Sequence, residues 1–288
     1  MSPSLSCYLA LAALSCGAAS ANDTPSHPSM VVPDQVISAQ NAKLAANSLG
    51  KGFGPQSPRD LDAKAGNTMR IFALAPPTSQ MNLCNIHLHR SAEHKGGEFT
   101  RYAGNGDGKG IGTGYHYSGT LSAAELKPLA EPVCAGEHGS LQSGDTIEVH
   151  YVHSSAMVGP GATLNACFND SIKNPELRVE AQVYVLVNDS QALDFAHLAA
   201  VGLNQGYHQA PNIPTNTGTP IQYAGSTTGP AYNEVASPFQ VTWSVRPKVA
   251  KVNVASMAAW CKANPFHEHG PHAVRNLVVN PELLSVIP

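Results

Sequence analysis

Leu83-Cys84-Asn85-Ile86-His87-Leu88-His89 is the stretch from which the rest of the chain is read. Side chains on an extended strand alternate between two faces. His87 and His89 therefore leave the same face, about 7 Å apart at Cα, with Asn85 beside them. Cys84, Ile86 and Leu88 are expected on the opposite, core-facing side. Packing alone rarely sets histidines opposite aliphatics, and two neutral imidazoles at this spacing can share one metal ion. A second stretch completes the set. Thr146-Ile147-Glu148-Val149-His150-Tyr151-Val152-His153 is rich in β-branched and aromatic residues and reads as a strand. Glu148, His150 and Val152 share one face, and Ile147, Val149, Tyr151 and His153 the other. A third imidazole from a neighbouring strand gives three protein nitrogens and one open position, the arrangement of catalytic rather than structural zinc. Each ring needs a partner for its second nitrogen, and Asn85 and Glu148 stand where such partners belong.

Working outward, further strands are expected at 69–74, 178–187 and 239–245. Short helices are expected at 38–49, 122–129 and 254–263, the last stopped by Pro265. Glycine and proline number 25 and 22 among 288 residues, and they cluster in long turn-rich segments such as 52–58, 104–114 and 204–229. No repeat is visible. The expected fold is a single domain, mainly β with a few short helices, built on a large twisted sheet.

Residues 1–21 read as a signal peptide, with a short apolar core at 9–14 and the small-x-small site Ala19-Ser20-Ala21. Residues 22–50 are polar and poor in aromatics and read as an N-terminal extension, leaving 51–288 as the catalytic domain. Removing the leader takes Cys7 and Cys16 with it. Cys84, Cys134, Cys167 and Cys261 remain, and an even number in an oxidising compartment implies two disulfides, with three pairings open. The expected location is periplasmic or secreted. The formal charge of -3 and the absence of any Lys/Arg run exclude a nucleic-acid partner. No stretch is long and apolar enough to span a membrane. The implied partner is a small molecule, and the oligomeric state is left open, a homodimer included.

The chain resembles the carbonic anhydrases. Asn85-Ile86-His87-Leu88-His89 resembles the stretch bearing the first two zinc ligands of the alpha class, and 147–153 resembles the strand bearing the third. Residues 223–230, from Tyr223 to Pro230, resemble the loop with the gatekeeper threonine. Val241-Thr242-Trp243 resembles the strand after it, and Gln56-Ser57-Pro58 a turn near the alpha-class N-terminus. These five blocks stand in order over about 190 residues. Between them, residues 85–96 and 54–60 are similar to the delta class.

The resemblance implies a mostly antiparallel sheet as in alpha-type enzymes, zinc on His87, His89 and His150, and reversible hydration of carbon dioxide to bicarbonate and a proton by zinc-hydroxide attack. It implies that Thr228 orients the hydroxide, that Glu93 fixes the threonine's hydroxyl hydrogen, and that Val152, Val185 and Trp243 line the substrate pocket. Thr227 stands where the alpha class usually has leucine. No histidine lies between Pro58 and His87, where that class keeps its proton shuttle, so His94 and His116 are the substitutes to consider.

Two other readings compete. His87, His89 and Glu93 also fit the first cupin metal motif, but the Pro-x-Gly turn of the second is missing around His150. A non-catalytic periplasmic metal-binding protein would keep the histidines and need neither Thr228 nor Glu93. His267, His269 and His272 read as a solvent-exposed loop, since Gly270 and Pro271 lie among them. His138, His197 and His208 stand alone and read as surface or hydrogen-bonded residues.

Overall fold

The computed structural model describes residues 31–62, 66–226, 234–276 and 278–288. The expected leader, Thr227 and Thr228 lie outside the described residues. The strands are β1 (Asn82–Arg90), β2 (Phe99–Tyr102), β3 (Tyr115–Tyr117), β4 (Val133–Gly136), β5 (Gly139–Leu141), β6 (Thr146–Ser154), β7 (Leu177–Val187), β8 (Gly202–Asn204), β9 (Tyr207–Gln209), β10 (Ile221–Ala224), β11 (Val241–Val245) and β12 (Ala250–Asn253). The helices are α1 (Asp34–Ser48), α2 (Phe195–Leu198) and α3 (Val254–Lys262).

One six-stranded sheet organises the chain, in the order β1-β6-β7-β11-β10 with β12 also on β7. β7 is long enough to take β6 along one edge and β11 followed by β12 along the other. The pairings β1/β6, β6/β7 and β10/β11 are antiparallel, whereas β11 and β12 run parallel to β7. The sheet is therefore mixed, with antiparallel pairs in a slight majority. Nearly every residue of β7 is buried, as a central strand covered on both faces requires. On one face Ile86, Leu88, Ile147, Val149, Tyr151 and Tyr184 pack with Phe195 of α2 and Met257 and Trp260 of α3. On the other, Val152, Val179, Ala181, Val183, Tyr223 and Trp243 form a second core. The histidines open onto this second face.

Three local expectations are corrected. A shift of register between Leu83 and Asn85 turns Cys84 onto the histidine side, where it packs near Val152 and pairs with Cys167; a bulge of this kind re-aims one side chain. Residues 69–74 join no ladder, and Met69 and Ile71 are 97% and 90% exposed. Side chains take the nearby carbonyls instead: Gln240 donates to Ala73 O, and Arg178 to Ala75 O and Pro76 O. At 122–129 a Ser122–Glu125 capping pair starts a single turn, and Pro128 stops it, because the residue before proline disfavours helical geometry.

The second disulfide joins Cys134 to Cys261. Helix α1 lies against the body, with Leu44 buried among Ala236, Val278, Leu283 and Leu284 and Gln40 donating to Gly108 O. β1 ends the sheet order, and its outer edge is covered by loops: Gly161 N donates to Cys84 O and His272 N to Leu88 O. No helix among the described residues is long and apolar enough to cross a membrane.

Candidate metal centre

Antiparallel register sets His87 directly opposite His150, and His89 opposite Glu148. Directly opposed residues put their side chains on the same face, so strand pairing alone gathers the three rings. Their centroids lie 5.0 Å (His87–His150), 4.7 Å (His89–His150) and 5.2 Å (His87–His89) apart, and one nitrogen from each lies within 4.8 Å of the others.

Hydrogen-bond partners assign the tautomers. His87 Nδ1 donates to Asn85 Oδ1 at 2.7 Å, His89 Nδ1 to the backbone carbonyl of Ala273 at 3.0 Å, and His150 Nε2 to Glu148 Oε1 at 2.7 Å. That leaves His87 Nε2, His89 Nε2 and His150 Nδ1 as the three lone-pair atoms. His89 Nε2 is buried with no partner among the described residues. His87 Nε2 and His150 Nδ1 face one another at 3.2 Å, two acceptors in mutual repulsion unless a cation lies between them. Burial, reinforced by the neighbouring imidazoles, holds His87 well below the usual histidine range. Burial also lowers His89 to about 3, so both rings stay neutral and able to ligate.

Beneath the rings lies a buried charged layer. Burial raises the Glu148 carboxyl, but His94 and His150 outweigh it and hold it well below the carboxylate range. His94 Nδ1 binds Glu148 Oε1 at 2.6 Å, His94 Nε2 meets the Tyr223 hydroxyl at 2.7 Å, and that hydroxyl meets Ser57 Oγ at 2.7 Å. His94, Glu148 and His150 are also close enough to hold a metal. The nitrogens facing Glu148 are already donating to it, however, so only the His87/His89/His150 set presents unused lone pairs. Glu93 is ion-paired with Arg59, and its other oxygen accepts from Arg275 N at 2.8 Å. Its burial is outweighed by Arg59, and its carboxyl is held at about 2.

The rings open into a cleft of about 840 Å³. One wall is apolar, with Val152, Leu177, Val179, Val241 and Trp243, and the other carries His138, Glu268 and His272. A family model described as delta carbonic anhydrase matches residues 78–256, from before β1 into α3. The chain belongs to the delta carbonic anhydrase family. As a delta carbonic anhydrase it is a carbonate dehydratase, and carbon dioxide is its substrate.

Solved structures also match. An alpha-carbonic anhydrase from Photobacterium profundum is 17% identical, covering 79% of this chain and 88% of its own, with a TM-score of 0.27. An alpha-carbonic anhydrase from Thermovibrio ammonificans, in complex with the inhibitor sulfanilamide, is 15% identical over 77% and 84%, with a TM-score of 0.27. Those likenesses are too distant to decide anything about the site. No curated protein matches the chain.

In this delta carbonic anhydrase the residues expected at the site divide clearly. His87, His89, His150, Asn85, Glu148, Glu93, Val152 and Trp243 all converge there. Val185 does not. It pairs with Thr146 and packs with Leu121 and Val187, six residues along β7 from Val179, or about 20 Å. Val179 lines the cleft in its place. His94 is completely buried with both nitrogens engaged, so its ring cannot swing toward solvent. His116 bonds Ser91 Oγ and lies off the cleft.

The loop 267–272 is not a free surface segment. It closes the edge of β1, and the His272 ring lies 5.4 Å from that of His87 and 5.9 Å from that of His89. Asn264 holds the loop by accepting from Phe266 N and Glu268 N, geometry that a Gly-Pro pattern does not disclose. His138 likewise lines the cleft rather than standing alone. Sequence reasoning also missed Arg59 and the Ala273 carbonyl. The first was quoted only within a family block, and the second is backbone, which no residue type announces.

Proposed function

We propose that His87, His89 and His150 hold zinc, and that this carbonic anhydrase uses it for the reversible conversion of carbon dioxide and water to bicarbonate and a proton. The observation that carries the reading is the convergence of three lone pairs, one of them buried without a partner and two opposed at 3.2 Å. Zinc held there would act as a Lewis acid that makes hydroxide available near neutral pH, the property for which carbonic anhydrase is the standard example. The protein's part is orientation. Asn85, Glu148 and the Ala273 carbonyl fix the three rings. Val152, Val179 and Trp243 offer carbon dioxide an apolar wall beside them. Thr228 is assigned the role of hydrogen-bond acceptor that aims the nucleophile, with Glu93 as the carboxylate that accepts a hydrogen bond from the threonine's own hydroxyl. Export to an oxidising compartment belongs to the same reading, supported by the two disulfides.

The test pairs metal analysis with carbon dioxide hydration. Purified protein should carry one zinc per chain and hydrate carbon dioxide, and Thr228→Ala should keep the zinc while losing about 10² to 10³ in turnover, the cost of one transition-state hydrogen bond. Parent protein that hydrates without zinc, or Thr228→Ala at the parental rate, would remove the assignment concerned.

A further inference from the structure

We propose that Arg59 is a positioning residue for Glu93, fixing the orientation in which that carboxylate serves the reaction; this rests on the zinc reading above. Arg59 is only 3% exposed and Glu93 2%, so the ion pair between them is fully withdrawn from water. A buried pair of this kind is a poor source of stability, because desolvation offsets the attraction. Arg59 also takes a left-handed backbone, with φ of 60°, a region that side chains other than glycine's occupy only under constraint. Two costs thus meet at one residue, and strain held in place by its surroundings is characteristic of working sites.

The surroundings do hold it. Lys95 N donates to Arg59 O and Leu61 N to Lys95 O, while Lys95 Nζ pairs with Asp60 at 2.9 Å. Residues 59–61 are therefore clipped to the segment that starts two residues after Glu93, and the guanidinium has a fixed reach to the carboxylate. Its Cζ lies over the Trp243 ring, 4.4 Å from the ring centre, and that ring in turn meets His150 edge-on at 5.2 Å.

The carboxylate is consequently gripped from two sides, Oε2 by Arg59 and Oε1 by the Arg275 N–H, with His89 Nδ1 a further 3.7 Å from Oε1. Engaging both oxygens leaves the remaining lone pairs pointing in set directions. A hydroxyl that bonds Glu93 must then approach from one side and must donate. Arg59 itself lines the cleft, but the role assigned to it is exerted through Glu93.

The experiment combines Arg59→Met, Arg59→Lys, Glu93→Gln and the double variant Arg59→Met/Glu93→Gln. Arg59→Met should keep one zinc and lower kcat by roughly the factor Glu93→Gln does, about 10², with KM little changed. Arg59→Lys, which keeps the charge, should recover part of the loss. The double variant should be no slower than Glu93→Gln alone. Losses that multiply would show that Arg59 does not act through Glu93, and a parental rate in Arg59→Met would overturn the proposal outright. If Arg59→Met leaves an unpaired buried charge and does not fold, the neutral double variant against Glu93→Gln decides the question. A second readout needs no activity. In metal-free protein the Arg275 amide proton, which donates to Glu93, should shift in Arg59→Met as it does in Glu93→Ala. An unmoved resonance would sink the positioning role. Absence of hydration by the parent would instead count against the zinc reading, leaving the amide result standing.

Discussion

His150 and His153 lie three residues apart on β6 and face opposite ways. His150 turns to the cleft with Nδ1 exposed to the other two rings, whereas His153 is buried with Nδ1 donating to Tyr151 O at 3.1 Å. His150→Ala should therefore lose zinc while His153→Ala retains it, and equal metal content in the two would refute the facing argument. His153 makes a separate prediction about acid. Burial lowers it to about 4 from roughly 6.5 when unfolded. The folded state thus prefers the neutral ring, a preference fully present above pH 6.5 and lost as pH falls through the window from 6.5 to 4. A difference of about 2.5 units corresponds to about 3 kcal/mol. Urea unfolding at pH 6.5 and 4 should show the parent losing about that much more stability than His153→Asn; equal losses would contradict it. At this scale the three histidines, Asn85 and Glu148 were legible, because strand alternation is a strict period of two. Arg59 was not, since a turn 28 residues upstream of His87 carries it in and no periodicity links the two.

The elements that hold the site are secured from outside the sheet. Ala273 reaches His89 from the loop 264–275, which His272 N ties to Leu88 O of β1 and which is pressed against β4, where Gly270 and Gly136 pack backbone to backbone. A Cβ on Gly270 would meet Gly136 Cα at 2.7 Å and Cys134 O at 3.0 Å, closer than side-chain carbons approach. Gly270→Ala should push the loop away, weaken zinc binding by about 10- to 100-fold as loss of a ligand's hydrogen-bond partner does, and leave the far-UV spectrum unchanged. A competition titration with a chromophoric chelator measures this, and an unaltered affinity would show that the loop does not support His89. The strands at 83–89, 146–153 and 178–187 were readable because burial makes their residue types regular. β12 was not, because its alternation runs for only four residues, and neither was the failure of 69–74 to pair. That stretch is apolar enough for a strand, but Gln240 claims the Ala73 carbonyl within it and Arg178 the Ala75 and Pro76 carbonyls just after it, and both residues lie far along the chain.

Across the whole molecule the sheet is a partition between two cores, and each disulfide braces a segment beside the cleft, Cys84–Cys167 from the sheet itself and Cys134–Cys261 from outside it. Cys84–Cys167 ties the histidine strand to the turn Leu164–Cys167, whose Leu164 and Asn165 line the cleft. Cys134–Cys261 ties β4 to the end of α3, from which the loop carrying His272 departs. Titration of thiols in denatured protein taken from its own compartment should find none free, and four reactive thiols would remove both the export and the disulfide assignments. That the fold would be β-rich around a three-histidine site could be read from two short strands. Which cysteines pair could not, because pairing depends on how segments 83 and 127 residues apart come together in space.

The two bridges also interleave along the chain, in the order Cys84, Cys134, Cys167, Cys261. A single cut anywhere between Cys84 and Cys261 therefore always leaves at least one bridge spanning it. Leu203, 72% exposed in the β8–β9 hairpin, is an accessible place for a protease to nick. The two fragments should then travel together on a non-reducing gel and part only when thiol is added. Such a wound would leave both pieces of the sheet joined in one covalent body.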